Sequence, residues 1–251
     1  MPRVDYHSSE VAHRYARGRA LPDEVLDRWA AAVTPLVPGD RSLVVLDVGA
    51  GTGIFARAWP QWCACRVIAL EPAEPMRAEL ARHGLPATVS AIAGRGEAVP
   101  LGDASIDVAW LSAVVHHLDD LDRCATELRR VLVDDGTVLI RGLFADLGTP
   151  AALEFFPGSQ RARSAFPSTS AVRAAFAPSG FEVAAALQVQ DAGPSTAGDA
   201  IARTHRLRHA DSLLAQFSDE QIAAGLAALE RCEPSRTLEP TRLGLLTLRA
   251  P

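Results

Sequence analysis

The sequence predicts an α/β fold: a seven-stranded, mostly parallel sheet with helices on both faces and a helical cover. Between residues 42 and 144, short runs dense in Val, Ile and Leu alternate with stretches of helical spacing. Alternation at this pitch builds an open parallel sheet with right-handed crossovers, and strands that lack polar alternation are those buried on both faces. The first run ends in three glycines at every second position, at the end of a strand where such sheets hold ligands. After residue 145 the alternation stops, and Pro157, Gly158 and Pro167 interrupt short helices. That segment is the predicted cover.

The elements follow in order. The first 37 residues read as helices: SSEVAHRYARG, with Ser8 or Ser9 as its cap, and LPDEVLDRWAAAVTPLV, with Pro22 at the helix start. PGDR is a turn. Strands are predicted at 42–48, 65–71, 87–93, 105–111 and 137–144. Helices lie between them in IFARAWPQW, EPMRAELARHG and DLDRCATELRRVLV, the last closed by Asp135-Gly136. FEVAAALQVQ (181–190) and TRLGLLTLR (241–249) are the last two strands. Residues 197–231 are helical, and their second helix opens with a capping box from Ser218 to Gln221. The expected organisation is one domain: N-terminal helices in 1–37, a ligand-binding core in 38–145, and the cover with the last two strands in 146–251.

Charge and composition exclude several classes. A formal net charge of −5 argues against a nucleic-acid binder driven by phosphate contacts. No apolar run reaches the roughly 18 residues of a membrane span, and the polar N-terminus has no secretory signal. The cysteines, Cys63, Cys65, Cys124 and Cys232, are scattered and read as thiols of a reducing, cytoplasmic compartment. All 25 cationic residues are arginine, and the chain has neither lysine nor asparagine. No metal is expected: His205 and His209 stand one helical turn apart without a third ligand, and with Arg203, Arg206 and Arg208 they read as a solvated or lid face.

The glycine turn is the informative motif. Gly49, Gly51 and Gly53 let the chain turn sharply and approach a ligand with bare backbone, while the following helix aims its amide dipole at the same place. The strand before the turn carries Asp47, and the next strand ends in Glu71, an acid suited to both hydroxyls of a ribose. The site is therefore built for a nucleoside. The spacing is G-x-G-x-G, not the dinucleotide G-x-G-x-x-G, and without lysine no phosphate-binding loop of the G-K-[ST] type exists.

LDVGAGTG (46–53), the acid of VIALEP (67–72), AGRGEAVPLGDASIDVAWLSAVVHHL (93–118) and ATELRRVLVDDGTVLIRG (125–142) together resemble the class I S-adenosylmethionine-dependent methyltransferases. The likeness is to their small-molecule, type 11-like branch, and it is continuous over about residues 40–145. It implies a Rossmann-like fold, S-adenosyl-L-methionine as cofactor and S-adenosyl-L-homocysteine as product. It implies that Gly49, Ala50 and Gly51, with Gly53 closing the turn, pack against methionine and ribose. Asp47 would hold the turn and help bind the ammonium group, and Glu71 would take the ribose hydroxyls. Pro72 and Met76 would lie beside the adenine, with Gly96 and Glu97 facing it, and Leu111 and Ser112 under the methionine. HRYARGRALP resembles the branch's N-terminal helix, so Arg19 would pair with the cofactor carboxylate and Tyr15 would cover the sulfonium end. Where many relatives carry an acid toward the adenine amino group, this chain has Arg95. Adenine recognition would then rest on the backbone at Arg95–Gly96 or on another side chain.

Methyl transfer from a sulfonium is an in-line displacement in which alignment supplies much of the rate. A base is needed only for an acceptor with a proton of high pKa. His117, or else His116, just past the fourth strand, is the candidate to face the methyl, the alternative being that the pair merely packs. The metal-dependent catechol-type branch is disfavoured by the missing asparagine. Phe155, Phe156, Phe166 and Phe176 read as ordinary core or as the lining of an apolar acceptor pocket. Arg141, Arg161 and Arg163 are candidates to receive an acidic substrate, although a surface arginine is the default. The resulting expectation is methyl transfer to a small molecule in specialised metabolism, by O- or N-methylation first and C-methylation next. A non-methylating cyclase or binding protein of the same fold is the alternative. No nucleic-acid or membrane partner is expected, and the protein should be a monomer or homodimer.

Overall fold

The computed structural model describes residues 7–18, 21–82, 84–193, 195–209 and 211–251. Two helices, α1 (Ser9–Gly18) and α2 (Asp23–Val33), precede the alternation, with Pro22 as the N-cap of α2. The core then runs β1 (Leu43–Val48), α3 (Ile54–Trp62), β2 (Cys65–Leu70), α4 (Glu74–Ala81), β3 (Val89–Ile92), β4 (Ile106–Ser112), α5 (Leu121–Val131) and β5 (Leu132–Gly142). The cover follows as β6 (Gly148–Thr149), α6 (Ser159–Ser164), α7 (Thr169–Phe176), β7 (Glu182–Gln190), β8 (Ser195–Thr196), α8 (Ala197–Leu207), α9 (Asp219–Glu230), β9 (Thr237–Leu238) and β10 (Arg242–Arg249). No described helix is long and apolar enough to cross a membrane.

Strands lie in the order β3-β2-β1-β4-β5-β10, with β6 and β7 both pairing with β10. The pairs from β3 through β5 are parallel, and β10 runs antiparallel to β5 and β7. The seven predicted strands form this sheet; the two-residue β6 is the eighth member, and β8 pairs with β9 separately. Asp135-Gly136 does not close a helix. The α5 backbone closes earlier, where the Leu132 amide donates to Leu128. Asp135 instead adopts a φ of 61° inside β5, at a register shift against β4.

Period-two alternation sorts the sheet's side chains between two cores. Leu46 and Val48 of β1 join Leu128 and Phe176 on the α5 and α7 face. Leu43 and Val45 join Trp29, Phe55 and Trp59 on the α2 and α3 face. Trp110 of β4 sits among these rings, 5.1 Å from Phe55 and 5.8 Å from Trp59 between centroids. Aromatic packing of this kind adds about 0.5–1.5 kcal/mol per pair beyond area burial. By the same alternation Asp47 and Arg141, near the ends of β1 and β5, fall on the aromatic side of the sheet, the side of Trp29 and Phe55.

The cover has its own core, in which Phe156, Phe217, Ala197 and Leu229 cluster. Ser218 and Gln221 form the predicted capping box of α9, and Thr196 and Asp199 form a second one on α8. Within α9, a Cβ at Gly225 would lie 2.2 Å from Phe156 Cδ1. Alanine favours a helix interior, but here overpacking outweighs propensity. Gly225→Ala is expected to destabilise the protein by about 1–3 kcal/mol, read as a lower urea midpoint.

Candidate functional site

An open sheet binds ligands where its strand order reverses. Here β1 has β2 on one side and β4 on the other, so the switch lies beyond Val48 and Ser112. The chain leaves β1 with positive φ at Gly49 and Gly51, of 67° and 56°. A side chain at Gly49 would collide with Val114 Cγ2 at 2.4 Å, whereas Gly51 faces open space and touches only Tyr15 at 3.9 Å. The Gly51 amide donates to Glu71 Oε2 at 2.9 Å, and the Ala73 amide donates to Oε1 at 2.9 Å. Gly53 is the N-cap of α3 and faces Leu80, away from the opening. Opposite the turn, Ala113 leaves β4 with a φ of 54°, a costly conformation for a residue with a side chain. Its amide donates to the Arg141 carbonyl at 2.7 Å.

Two cavities meet at this point. The first, about 280 Å³, is lined by Tyr15, Gly49, Gly51, Glu71, Pro72, Met76, Arg95, Gly96, Glu97, Ser112 and His117. The second, about 390 Å³, extends toward the cover and takes in Asp47, Ala50, His116, Arg141, Phe156 and Phe166. Tyr15, Gly49, Gly51, Ser112 and Ala113 line both. Sequence reading thus brings most of its candidates to one place. Leu111 is wholly buried in the α5-side core and lines neither cavity. Arg19 lies outside the described residues. Among the phenylalanines, Phe176 is core, Phe155 packs in the cover, and Phe156 and Phe166 reach the second cavity.

The two histidines divide between the cavities. Their rings meet at a tilt of 47° with centroids 4.0 Å apart, and His116 is also 4.7 Å from Phe166. His117 Nε2 lies 3.1 Å from Ser212 Oγ, so the cover is joined to the end of β4. Arg95 pairs with Asp119 and lies 3.5 Å from Glu97, and Asp119 also lines the first cavity. Arg141 is not a surface arginine: it is 4% exposed. It donates to Ser112 Oγ at 3.0 Å and to Asp191, which also accepts from Trp29 Nε1 at 2.8 Å. Ala113, Asp191 and Ser212 were not singled out from sequence. The strand period would have placed Arg141, but no local pattern marks the other three. Among the described residues, no three His, Cys, Asp or Glu side chains come together as a metal site.

Electrostatics at the turn are unusual. Asp47 is 2% exposed and lies against the Ala56 amide of α3, while its Oδ2 has no hydrogen-bond partner among the described residues. Burial, and next the Glu71 charge, push its pKa up to about 8. Burial also raises Glu71, against the opposing hydrogen bonds from Ala73 and Gly51. Two acids beside bare backbone fit a ligand that brings hydroxyl donors and a cationic group. In the unfolded chain Asp47 ionises near about pH 4, so between about pH 4 and 8 the folded state binds more protons than the unfolded one. Stability therefore falls as pH rises through that window. Asp47→Asn is expected to abolish this contribution: in ligand-free thermal melts its advantage over the wild type grows from pH 5 to pH 8.

Comparison with known proteins agrees with this geometry. Residues 46–140 match the methyltransferase domain family. The malonyl-[acyl-carrier protein] O-methyltransferase of Enterobacter lignolyticus is 33% identical over 151 residues, 58% of this chain and 57% of that protein. The chain spans about half the length of the curated relatives it matches. Among solved structures, an S-adenosylmethionine-dependent methyltransferase from Mesorhizobium loti has a TM-score of 0.55 at 19% identity, covering 89% of this chain and 99% of that one. The [4+2]-cyclase SpnF has a TM-score of 0.59 at 21% identity, covering 93% and 85%; at such identities the likeness is one of fold. With the strand order, the glycine turn and the matched segment in agreement, residues 46–140 form a methyltransferase domain of the class I kind, whose cofactor is S-adenosylmethionine.

Proposed function

We propose that the protein transfers the methyl group of S-adenosylmethionine to an oxygen of a small-molecule acceptor. The observation that carries this reading is the junction of two cavities at Gly49, Gly51, Ser112 and Ala113: the first, with the near end of the second at Asp47 and Ala50, gives room for a donor, and the rest of the second, toward the cover, gives room for an acceptor. When bound, the cofactor supplies an electrophilic methyl on a sulfonium. The chain's own residues then bind, align and keep water out.

In this reading Glu71 takes the ribose hydroxyls, and its anchored oxygens keep the carboxylate aimed. Asp47 faces the ammonium group, whose positive charge favours the ionised acid. Met76, the backbone at Arg95–Gly96 and Asp119, which line the first cavity, would hold the adenine. Tyr15 covers the junction, and the His117–Ser212 contact holds the cover down on it. His116 is the histidine on the acceptor side. The choice of oxygen as acceptor atom is supported by relatives named O-methyltransferases. The 390 Å³ second cavity suits a small body flanked by Phe156 and Phe166.

Calorimetric titration with S-adenosylhomocysteine tests the cleft. The expected result is micromolar binding, at least about tenfold weaker in Glu71→Ala through loss of charge-assisted hydrogen bonds. In buffers of different ionisation enthalpy at pH 7, binding is expected to release close to one proton from the wild type and none from Asp47→Asn. Formation of S-adenosylhomocysteine over an acceptor panel then tests transfer. Cofactor binding without methyl transfer across the panel would favour the non-methylating alternative.

A further inference from the structure

Among the charged side chains that line the second cavity, which include Asp199, Arg203, Arg206 and Asp211, Arg141 is the buried arginine at the end of a central strand. It leaves β5 next to Ser112, which both cavities share, and is buried between the rings of Trp29 and Phe55 at 4.8 and 4.9 Å. Its Nη atoms are held by Ser112 and Asp191, so the guanidinium is fixed in place. Its Nε–H is buried and has no hydrogen-bond partner among the described residues. An unmet buried donor on a charged group is costly, and hydrophobic residues would fill the same volume without that cost. A ligand oxygen would satisfy it.

We propose, resting on the methyl-transfer reading above, that Arg141 is the acceptor-anchoring residue and that the acceptor is a carboxylic acid held by its carboxylate against this guanidinium. The charges support the choice. Arg141 and Asp191 cancel one another, and the acceptor carboxylate cancels the sulfonium of the bound cofactor, so the four sum to zero in a site screened from water. The step balances without a base. The carboxylate oxygen forms a bond to the methyl carbon as the sulfur–methyl bond breaks, its electron pair staying on sulfur. A methyl ester and a neutral thioether result, and no proton moves. A carboxylate is ionised at neutral pH, so His116 has no proton to accept and shapes the acceptor side instead. The aromatic wall of Phe156 and Phe166 suits a hydrocarbon or aryl body on the acid.

The test measures binding, not turnover. The protein is saturated with sinefungin, an unreactive cofactor analogue with an ammonium group near the position of the sulfonium, and titrated with octanoate, benzoate and the corresponding amides. The wild type is expected to bind at least one acid tenfold or more tighter than its amide. Arg141→Gln should erase that preference. Asp191→Asn keeps an acceptor for Trp29 and Arg141 but removes the neutralising charge, so it should raise affinity for the acid severalfold and leave the amide unchanged. Should Arg141→Gln fail to fold, the Asp191→Asn arm decides alone. Equal binding of acid and amide by the wild type, or an acid preference indifferent to both substitutions, overturns the proposal while sinefungin binding stands. Failure of the wild type to bind sinefungin removes the reading on which it rests, and the proposal with it.

Discussion

Strand alternation at the sheet's switch point is the constraint on which the site depends. A strand presents every second side chain to a given face, and three neighbouring parallel strands end together here. On β1 that rule sends Leu46 and Val48 to the α5 side and leaves Asp47 facing α3. On β5 it sends Val138 and Ile140 to the α5 side and Leu139 to the other, so Arg141 follows Leu139. One acid and one guanidinium are thereby delivered to the same aromatic face, with Ser112 at the end of β4 between them. A one-residue slip would exchange Asp47 for Leu46 or Val48, and Arg141 for Ile140 or Gly142.

The helices on that face convert placement into electrostatics. Trp29 from α2 donates to Asp191 and stacks on Arg141, while Phe55 from α3 stacks on the same guanidinium. These rings exclude water from Arg141 and strengthen its remaining interactions. On the other side of the turn, Glu71 is held by two backbone amides, and its charge helps to keep the proton on Asp47. The donor side of the junction is thus acidic and the acceptor side carries a fixed, partnered cation. Nothing in the turn is large: glycine and alanine backbone separates the two, so ligands on either side can approach one another.

Legibility in the sequence followed the range of each interaction. The glycine turn, Asp47, Glu71 and the capping box of α9 are set by residues close in the chain or by strand period, and they were readable. Asp135-Gly136 was misread because the same dipeptide serves to stop a helix and to kink a strand, and only pairing with β4 decides between them. Ser212 and Asp191 reach the site across 95 and 50 residues of chain from His117 and Arg141, carried by cover loops whose spacing encodes nothing local. Ala113 was hidden for another reason. Its left-handed backbone accompanies the bond from its amide to the Arg141 carbonyl and does not follow from its own preference.

The cover then has a physical task beyond shielding. On the proposed reading, positive charge on the donor and negative charge on the acceptor both vanish in the transfer, and opposite charges attract more strongly where water is excluded. Such a site gains from being dry but must admit two ligands in turn. Contacts from the cover to the core near the junction include the hydrogen bonds of Ser212 with His117 and of Asp191 with Arg141 and Trp29, and the ring contact of Phe166 with His116. The hydrogen bonds touch residues at the ends of the central strands. A polar contact can be replaced by water at an opening, whereas an apolar one exposes hydrocarbon each time. The Ser212–His117 contact is therefore the one suited to being broken and remade as ligands enter and leave, while Asp191 keeps Arg141 in place.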